Sequence, residues 1–245
     1  MSGISHRWTR KQREHWSGVF GYARERFKPG ASSYRCYAAA TIEGGDHPVP
    51  GYQLRIHLRG ISPPIWRRIV VAADVTIAEL HEIIQLSMGW EDEHLHRFVI
   101  RGRECGVPRP GGIGFEPNSH RLALEAFGFR VNERFVYEYD LHCSWLHDIR
   151  IEKILTETEW QQLPVCIAGV GGCPPEDSGP ADRFMEGLDD HSGEDFVEWV
   201  EDLLEKPELD RSELCEGLDA WRPWIDRHFD LKAANARLWG RRALQ

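Results

Sequence analysis

The sequence predicts an α+β fold: a β-grasp-like strand-strand-helix-strand unit over about Tyr52 to Arg101, extended by a second antiparallel hairpin and flanked by helical N- and C-terminal arms. Three patterns carry this. Residues alternate apolar and polar from Tyr52 to Arg59, a capped helical stripe follows from Thr76, and a second alternation begins at Phe135.

In the first segment Leu54, Ile56 and Leu58 interleave with Gln53, Arg55, His57 and Arg59, the signature of a half-buried strand. Gly60-Ile61-Ser62-Pro63-Pro64 makes a connection, because proline cannot donate to a ladder. Ile65 to Ala72 returns as a second strand. Thr76-Ile77-Ala78-Glu79 fits a capping box, in which the Thr76 hydroxyl accepts from the Glu79 amide and the Glu79 carboxylate reaches back. Ile77, Leu80, Ile83, Ile84 and Met88 then recur on one helical face, and Gly89 suits a left-handed stop. His96 to Arg101 supplies the next strand.

Residues 106–120 are rich in glycine and proline and read as a loop before a short helix near Leu122 to Phe127. Phe135, Tyr137, Tyr139 and Leu141 share a strand face, His142 to Ser144 turn, and Leu146 to Ile154 return. After Pro164 the chain reads as a Gly/Pro loop through Phe184. Ser192 caps a helix whose apolar stripe is Phe196, Val197, Trp199, Val200, Leu203 and Leu204, and a last helix is expected near Leu218 to His228. Residues 1–28 suggest a helix anchored by Trp8, Trp16 and Phe20, and 43–51 a linker. The organisation expected is a basic arm and linker over 1–50 and one domain over 51–245, with acidic helices at about 190–240.

The chain has 245 residues, 41% of them hydrophobic and ten of them tryptophan, enough for a sizeable core. No apolar run reaches the roughly 20 residues of a membrane-spanning helix and no signal-peptide pattern opens the chain, so a cytoplasmic location is expected. The six cysteines are scattered as expected of reduced thiols. The formal net charge of −9 conceals an asymmetry: residues 1–35 hold eight Lys/Arg against two Glu, and residues 169–216 hold sixteen Asp/Glu against three Lys/Arg. An acidic core argues against duplex binding there and leaves DNA contact to the N-terminal arm; a partner protein is the better-matched ligand.

No phosphate-binding glycine loop, HExxH, nucleophile elbow or paired CxxC occurs. The most unusual polar collection is Trp145 and His147 with Cys166, Cys173, Glu176 and Asp177. Zinc would accept His147, Cys166 and Cys173, with Glu176, Asp177, His142 or Cys143 completing the shell. The alternative is packed cysteines, a hydrogen-bonded His147, and carboxylates that organise their loop. His94 and His96 would share a face if both lay in a strand. His142 beside Cys143 could form a thiolate-imidazolium pair, although no orienting third residue or oxyanion hole accompanies it.

The segments YQLRIHLRGISPPIWRRIVV, TIAELHEIIQLSMGWEDEHLHRFVI, YEYDLHCSWLHDIRIEKI, CPPEDSG and FDLKAANARL, in that order, resemble the plasmid pRiA4b ORF-3-like proteins, also labelled insertion-sequence passenger or TnpR proteins. The resemblance spans about Tyr52 to Leu238. It implies an α+β domain of mobile-element type without an assigned activity. The serine and arginine-rich centre of a serine recombinase have no counterpart. His142-Cys143 and Leu146 stand where the family usually has Gly-Asp and Glu, and Gly179-Pro180 where it often has Gly-Gly. The function expected is a non-enzymatic accessory or interaction module; the alternative is a metal-dependent enzyme or zinc-stabilised module.

Overall fold

The structure, a computed structural model, describes residues 50–106, 119–156, 160, 162–205, 211–225 and 227–243. The predicted N-terminal helix, and the linker up to residue 49, lie outside them. Seven strands form one antiparallel sheet: β1 (Gly51–Leu58), β2 (Ile65–Ala72), β3 (His96–Ile100), β4 (Arg103–Cys105), β5 (Arg134–Tyr139), β6 (Trp145–Leu155) and β7 (Val165–Val170), in the order β4-β3-β5-β6-β1-β2-β7. Among the described residues five α-helices accompany it: α1 (Ile77–Met88), α2 (Ala181–Asp190), α3 (Gly193–Leu204), α4 (Arg211–Ile225) and α5 (Leu231–Ala243).

The strand-strand-helix-strand order and the second hairpin stand as the sequence predicts. The β-grasp detail is not confirmed. β1 lies between β2 and β6, antiparallel to both, and β3 is three places away beyond β6 and β5. Strand alternation explains the sheet's two faces: Leu54, Ile56, Leu58, Ile65, Ile69, Ile149 and Ile151 are buried in the core with Ile77, Leu80 and Ile84 of α1. Each such side chain contributes about 1.5–3 kcal/mol of burial.

The Thr76-Glu79 capping box is present, and Gly89 ends α1 at φ +94. The last turn of α1 contains no basic residue of its own. Two arginines from elsewhere satisfy its open carbonyls: Arg67 of β2 donates to Ser87 O at 3.0 Å and Arg237 of α5 donates to Leu86 O at 2.8 Å. Cations suit the negative end of the helix dipole, which accounts for a fully buried arginine that, among the described residues, makes no salt bridge to a carboxylate.

The segment after Pro164 departs from expectation. VCIAGV forms the edge strand β7, and its bulge opposite Arg68/Ile69 is held by the Asn235 side chain, which bonds both the amide and the carbonyl of Cys166. Gly169 is required there, because a Cβ would lie 2.5 Å from the Phe229 ring. The presumed loop also contains α2, whose Phe184 stacks on Trp224. Helix α3 begins at the predicted Ser192 cap, but Val197 and Leu204 of its stripe are exposed. The last predicted helix lies earlier, at Arg211–Ile225, and α5 follows a break at Asp230, which caps the new amides of Lys232 and Ala233. No helix among the described residues is long and apolar enough to cross a membrane.

Candidate functional site

The polar site lies on the α1 side of the sheet, over β3, β5 and β6. Register places His96, Tyr139 and Trp145 in one cross-strand row and Phe98, Tyr137 and His147 in the next. Helix α1 sets His81 and Gln85, four residues apart, against that surface. The segment Trp90–His94 then runs along its edge, facing Pro174–Asp177.

A closed ring of hydrogen bonds forms the inner part. The Asp92 amide donates to Gln85 Oε1 (3.1 Å), and Gln85 Nε2 donates to Tyr137 Oη (2.8 Å). Tyr137 Oη meets His81 Nδ1 (2.8 Å), and His81 Nε2 meets Asp92 Oδ1 (2.9 Å). With the tyrosine hydroxyl donating to Nδ1 and Nε2–H donating to the carboxylate, every donor in the ring has an acceptor. The His96 ring stacks on His81 at 3.4 Å between centroids and 11° between planes. One nitrogen each of His81 and His96 and one Asp92 oxygen lie within 4.8 Å of one another. Burial drives the Tyr137 hydroxyl well above its ordinary pKa, so it stays a neutral hydrogen-bonding group.

The outer part centres on the Tyr139 hydroxyl. It donates to Glu176 Oε1 (2.9 Å) and accepts from the amides of Glu93 (3.0 Å) and His94 (3.3 Å). Glu176 also accepts from the Glu91 amide, and His94 Nε2 meets Asp177 Oδ1 at 2.9 Å. Burial raises the Glu176 carboxyl above the usual carboxylate range. Trp90 binds the two parts together. Its indole N–H donates to Pro174 O, and its ring lies 5.0 Å from Tyr139, 6.3 Å from Trp145 and 5.3 Å from His147. Asp92, Asp140 and Asp177 all sit at positive φ (60°, 51° and 59°), a left-handed conformation that aspartate tolerates better than most residues.

Of the residues expected from sequence, Trp145, His147, Glu176 and Asp177 do surround this region, and Trp90 is what joins them. Cys166 and Cys173 do not complete a ligand set with His147. Among the described residues, the groups of three or more donors close enough to hold an ion are His81/Asp92/His96 and Glu93/His94/Asp177. Cys173 instead receives an Arg67 N–H (3.3 Å) and contacts Met88 Sδ, while Cys166 sits in the β7 bulge. Burial raises both thiols, which favours the protonated form over a thiolate ligand. His94 and His96 do not share a face either: β3 starts at His96, which points inward, whereas His94 belongs to the preceding loop. The His142-Cys143 pair is unsuited to nucleophilic chemistry, because burial and the hydrogen-bonded Asp140 carboxylate push the Cys143 thiol up to about 11. Asp140 accepts both backbone amides of that turn.

A family model described as plasmid pRiA4b ORF-3-like protein matches residues 50–214. The chain belongs to that family. The pRiA4b ORF-3-like chain is 31% identical over 153 residues to the uncharacterised protein y4hQ of Sinorhizobium fredii, a match covering 61% of this chain and 78% of the relative. It is also similar to the crystal structure of MM3350, a protein of unknown function from Methanosarcina mazei, at 30% identity and a TM-score of 0.55, covering 76% of this chain and 97% of that one. This family of unknown function supplies no assigned activity. His81, Gln85, Trp90 and Asp92 were not singled out from the sequence, and Tyr137 and Tyr139 only as strand-face residues, although two polar residues at core-facing positions of α1 were a usable signal.

Proposed function

We propose that this protein is a metal-binding module in which His81, His96 and Asp92 hold a divalent transition-metal ion. The convergence of two imidazole nitrogens and a carboxylate oxygen within 4.8 Å, on two nearly buried histidines, carries the reading. Two histidines and one carboxylate suit zinc, iron or manganese, and three protein ligands leave coordination positions for water or another oxygen donor.

The surroundings support the same reading. Tyr137 holds His81 through Nδ1, which aims Nε2 at Asp92 and fixes the ring that would coordinate. Loading exchanges the Nε2 proton for the ion, so binding releases a proton and weakens in acid. Parallel rings 3.4 Å apart cannot both place an ion in plane at about 2.0–2.1 Å. Coordination by both rings would therefore require His96 to tilt away from His81, which would give apo and loaded protein distinct histidine environments.

Equilibrium dialysis of metal-stripped protein against zinc, manganese, iron(II) and cobalt(II), with elemental analysis, tests this. One tightly held equivalent per chain, lost in His96→Ala and in Asp92→Asn, is expected. Failure to retain any of the four above background, or retention unaffected by both substitutions, removes the reading.

A further inference from the structure

On the opposite face of the sheet, four strands place arginines side by side. Register pairs Arg134 of β5 with Arg150 of β6, Arg150 with Arg55 of β1, and Arg55 with Arg68 of β2. Directly paired residues share a face, and these alternate with the buried Phe135, Ile149, Ile151, Leu54, Ile56 and Ile69. The result is a row of four arginine positions across four adjacent strands, about 15 Å long at the usual strand spacing.

Such a row is costly in isolation, since like charges directly opposite one another destabilise a sheet. Compensation is incomplete. The bulge between Gln53 and Leu54 brings Glu152 among the arginines, where it accepts from Arg68 at 2.5 and 3.0 Å and from Arg150 at 3.0 Å. Arg55 instead lies 4.6 Å over the Trp66 ring, with the Arg68 guanidinium 5.4 Å from the same ring. Among the described residues, neither Arg55 nor Arg134 makes a salt bridge to a carboxylate. A chain of formal charge −9 thus sets four arginines in one line against a single bridging carboxylate, Glu152, with Asp148 acting on Arg134 only through space, beside the half-buried Trp66.

We infer that this face binds single-stranded nucleic acid, independently of the metal centre. Guanidinium groups are planar phosphate donors, and a row of about 15 Å meets roughly two to four backbone phosphates. The half-buried Trp66, at one end of the row and already faced by the Arg55 guanidinium, adds an aromatic ring on which an unpaired base can stack, which a duplex with its bases paired cannot use. Outside the basic N-terminal segment, the overall negative charge disfavours a polyanion, so the row is the part of the sheet suited to one.

Fluorescence anisotropy of the full chain with labelled 20-nucleotide single-stranded DNA, the matching RNA and the matching duplex, from 25 to 300 mM salt, tests the inference. Binding of a single strand at low salt is expected, with the logarithm of affinity falling linearly with the logarithm of salt. The double variant Arg55→Gln/Arg134→Gln should weaken binding by at least ~10-fold and reduce the salt slope by about 1.4, two phosphate contacts at about 0.7 each. Should the double variant misfold, Arg134→Gln alone, at an exposed position, reports half that slope change. No single-strand binding at 25 mM salt overturns the inference, as does binding of duplex only. It also fails if the salt slope is unchanged in the sheet variants while Arg10→Gln/Lys11→Gln/Arg13→Gln in the N-terminal segment abolishes binding.

Discussion

The same strands β5 and β6 serve two different chemistries on their two faces. Towards α1, Tyr137, Tyr139, Trp145 and His147 are buried, and the neutral hydroxyls of Tyr137 and Tyr139 are hydrogen-bonded to His81, Gln85 and Glu176. Towards the open side, Arg134 and Arg150 carry permanent charge, Arg150 bridged to Glu152 at 3.0 Å and Arg134 without a salt bridge among the described residues. Polar groups buried on the covered face are shielded from bulk solvent and satisfy one another, so removing one leaves its partner short of a hydrogen bond. On the open face water does that work, so charge can be held in reserve for a ligand. Substitutions on the covered face should therefore act on stability, and those on the open face on binding and salt dependence.

The largest expected effect is Trp90→Ala. It removes a ring packed against Tyr139, Trp145 and His147 and the hydrogen bond that pins Pro174, and should cost about 3–5 kcal/mol in urea unfolding. Arg134→Gln in the same assay should stay within about 0.5 kcal/mol. Equal losses for the two would dissolve the contrast between the faces.

Tyr137→Phe comes next. Its hydroxyl joins Gln85 to His81, so phenylalanine leaves Gln85 Nε2 and His81 Nδ1 short of a partner at a cost of about 1–3 kcal/mol. If the proposed ion is held by His81, affinity for it should also drop about 10–100-fold, because the ring loses its orienting contact. A stability loss with unchanged metal affinity would leave the hydrogen-bond ring intact as a description and remove Tyr137 from the metal site.

How legible each face was in the sequence follows from what encodes it. β1, β2, α1, β3, β5 and β6 announce themselves because one face of each is apolar and the other is not, a period that survives in one dimension. β7 and α2 do not. β7 is an edge strand whose Gly169 serves the distant Phe229 ring, and Gly187 of α2 makes way for Trp224, so both glycines read as loop until their partners are known. The site behaves similarly. Glu176, Asp177 and His147 stand out as unusual polar residues, whereas His81 and Gln85 fill the apolar stripe of α1 and pass for core. The arginine row was written in the alternation of four strands, but only register, set by hairpin geometry and the bulge at Glu152, reveals that the four align.

Glu152 gives a pH test of the open face. The Arg68 side chain, with Gln53 and Arg150, lowers its carboxyl from the ordinary 4.5 to about 2 despite partial burial. A depressed folded-state pKa contributes stability that is complete above the ordinary value and is lost as pH falls towards about 2. Wild type should therefore exceed Glu152→Gln in urea midpoint at pH 7, and the gap should close between about 4.5 and 2. The variant, with one carboxylate fewer in the row, should bind single strands more tightly at low salt. A gap independent of pH would mean that Glu152 acts by packing rather than charge.

The smallest effect at neutral pH, and the sharpest sign, belongs to His147 on the covered face. Its ring is fully buried and neither nitrogen has a well-formed hydrogen bond; burial holds it at about 3, against an ordinary 6.5, despite the nearby backbone of Trp145 and Tyr137. The unfolded chain takes up the proton first as pH drops below 6.5, so this residue withdraws stability steadily from 6.5 down to about 3. His147→Leu replaces a neutral buried ring with an apolar group and should change stability at pH 7 by no more than about 1 kcal/mol. Between pH 6.5 and 4 the leucine variant should lose less stability than wild type, read as the difference in urea midpoints at the two pH values. Parallel losses would show that the native imidazole is protonated across that range and that a polar partner reaches it, which would place His147 with the hydrogen-bonded ring rather than beside it.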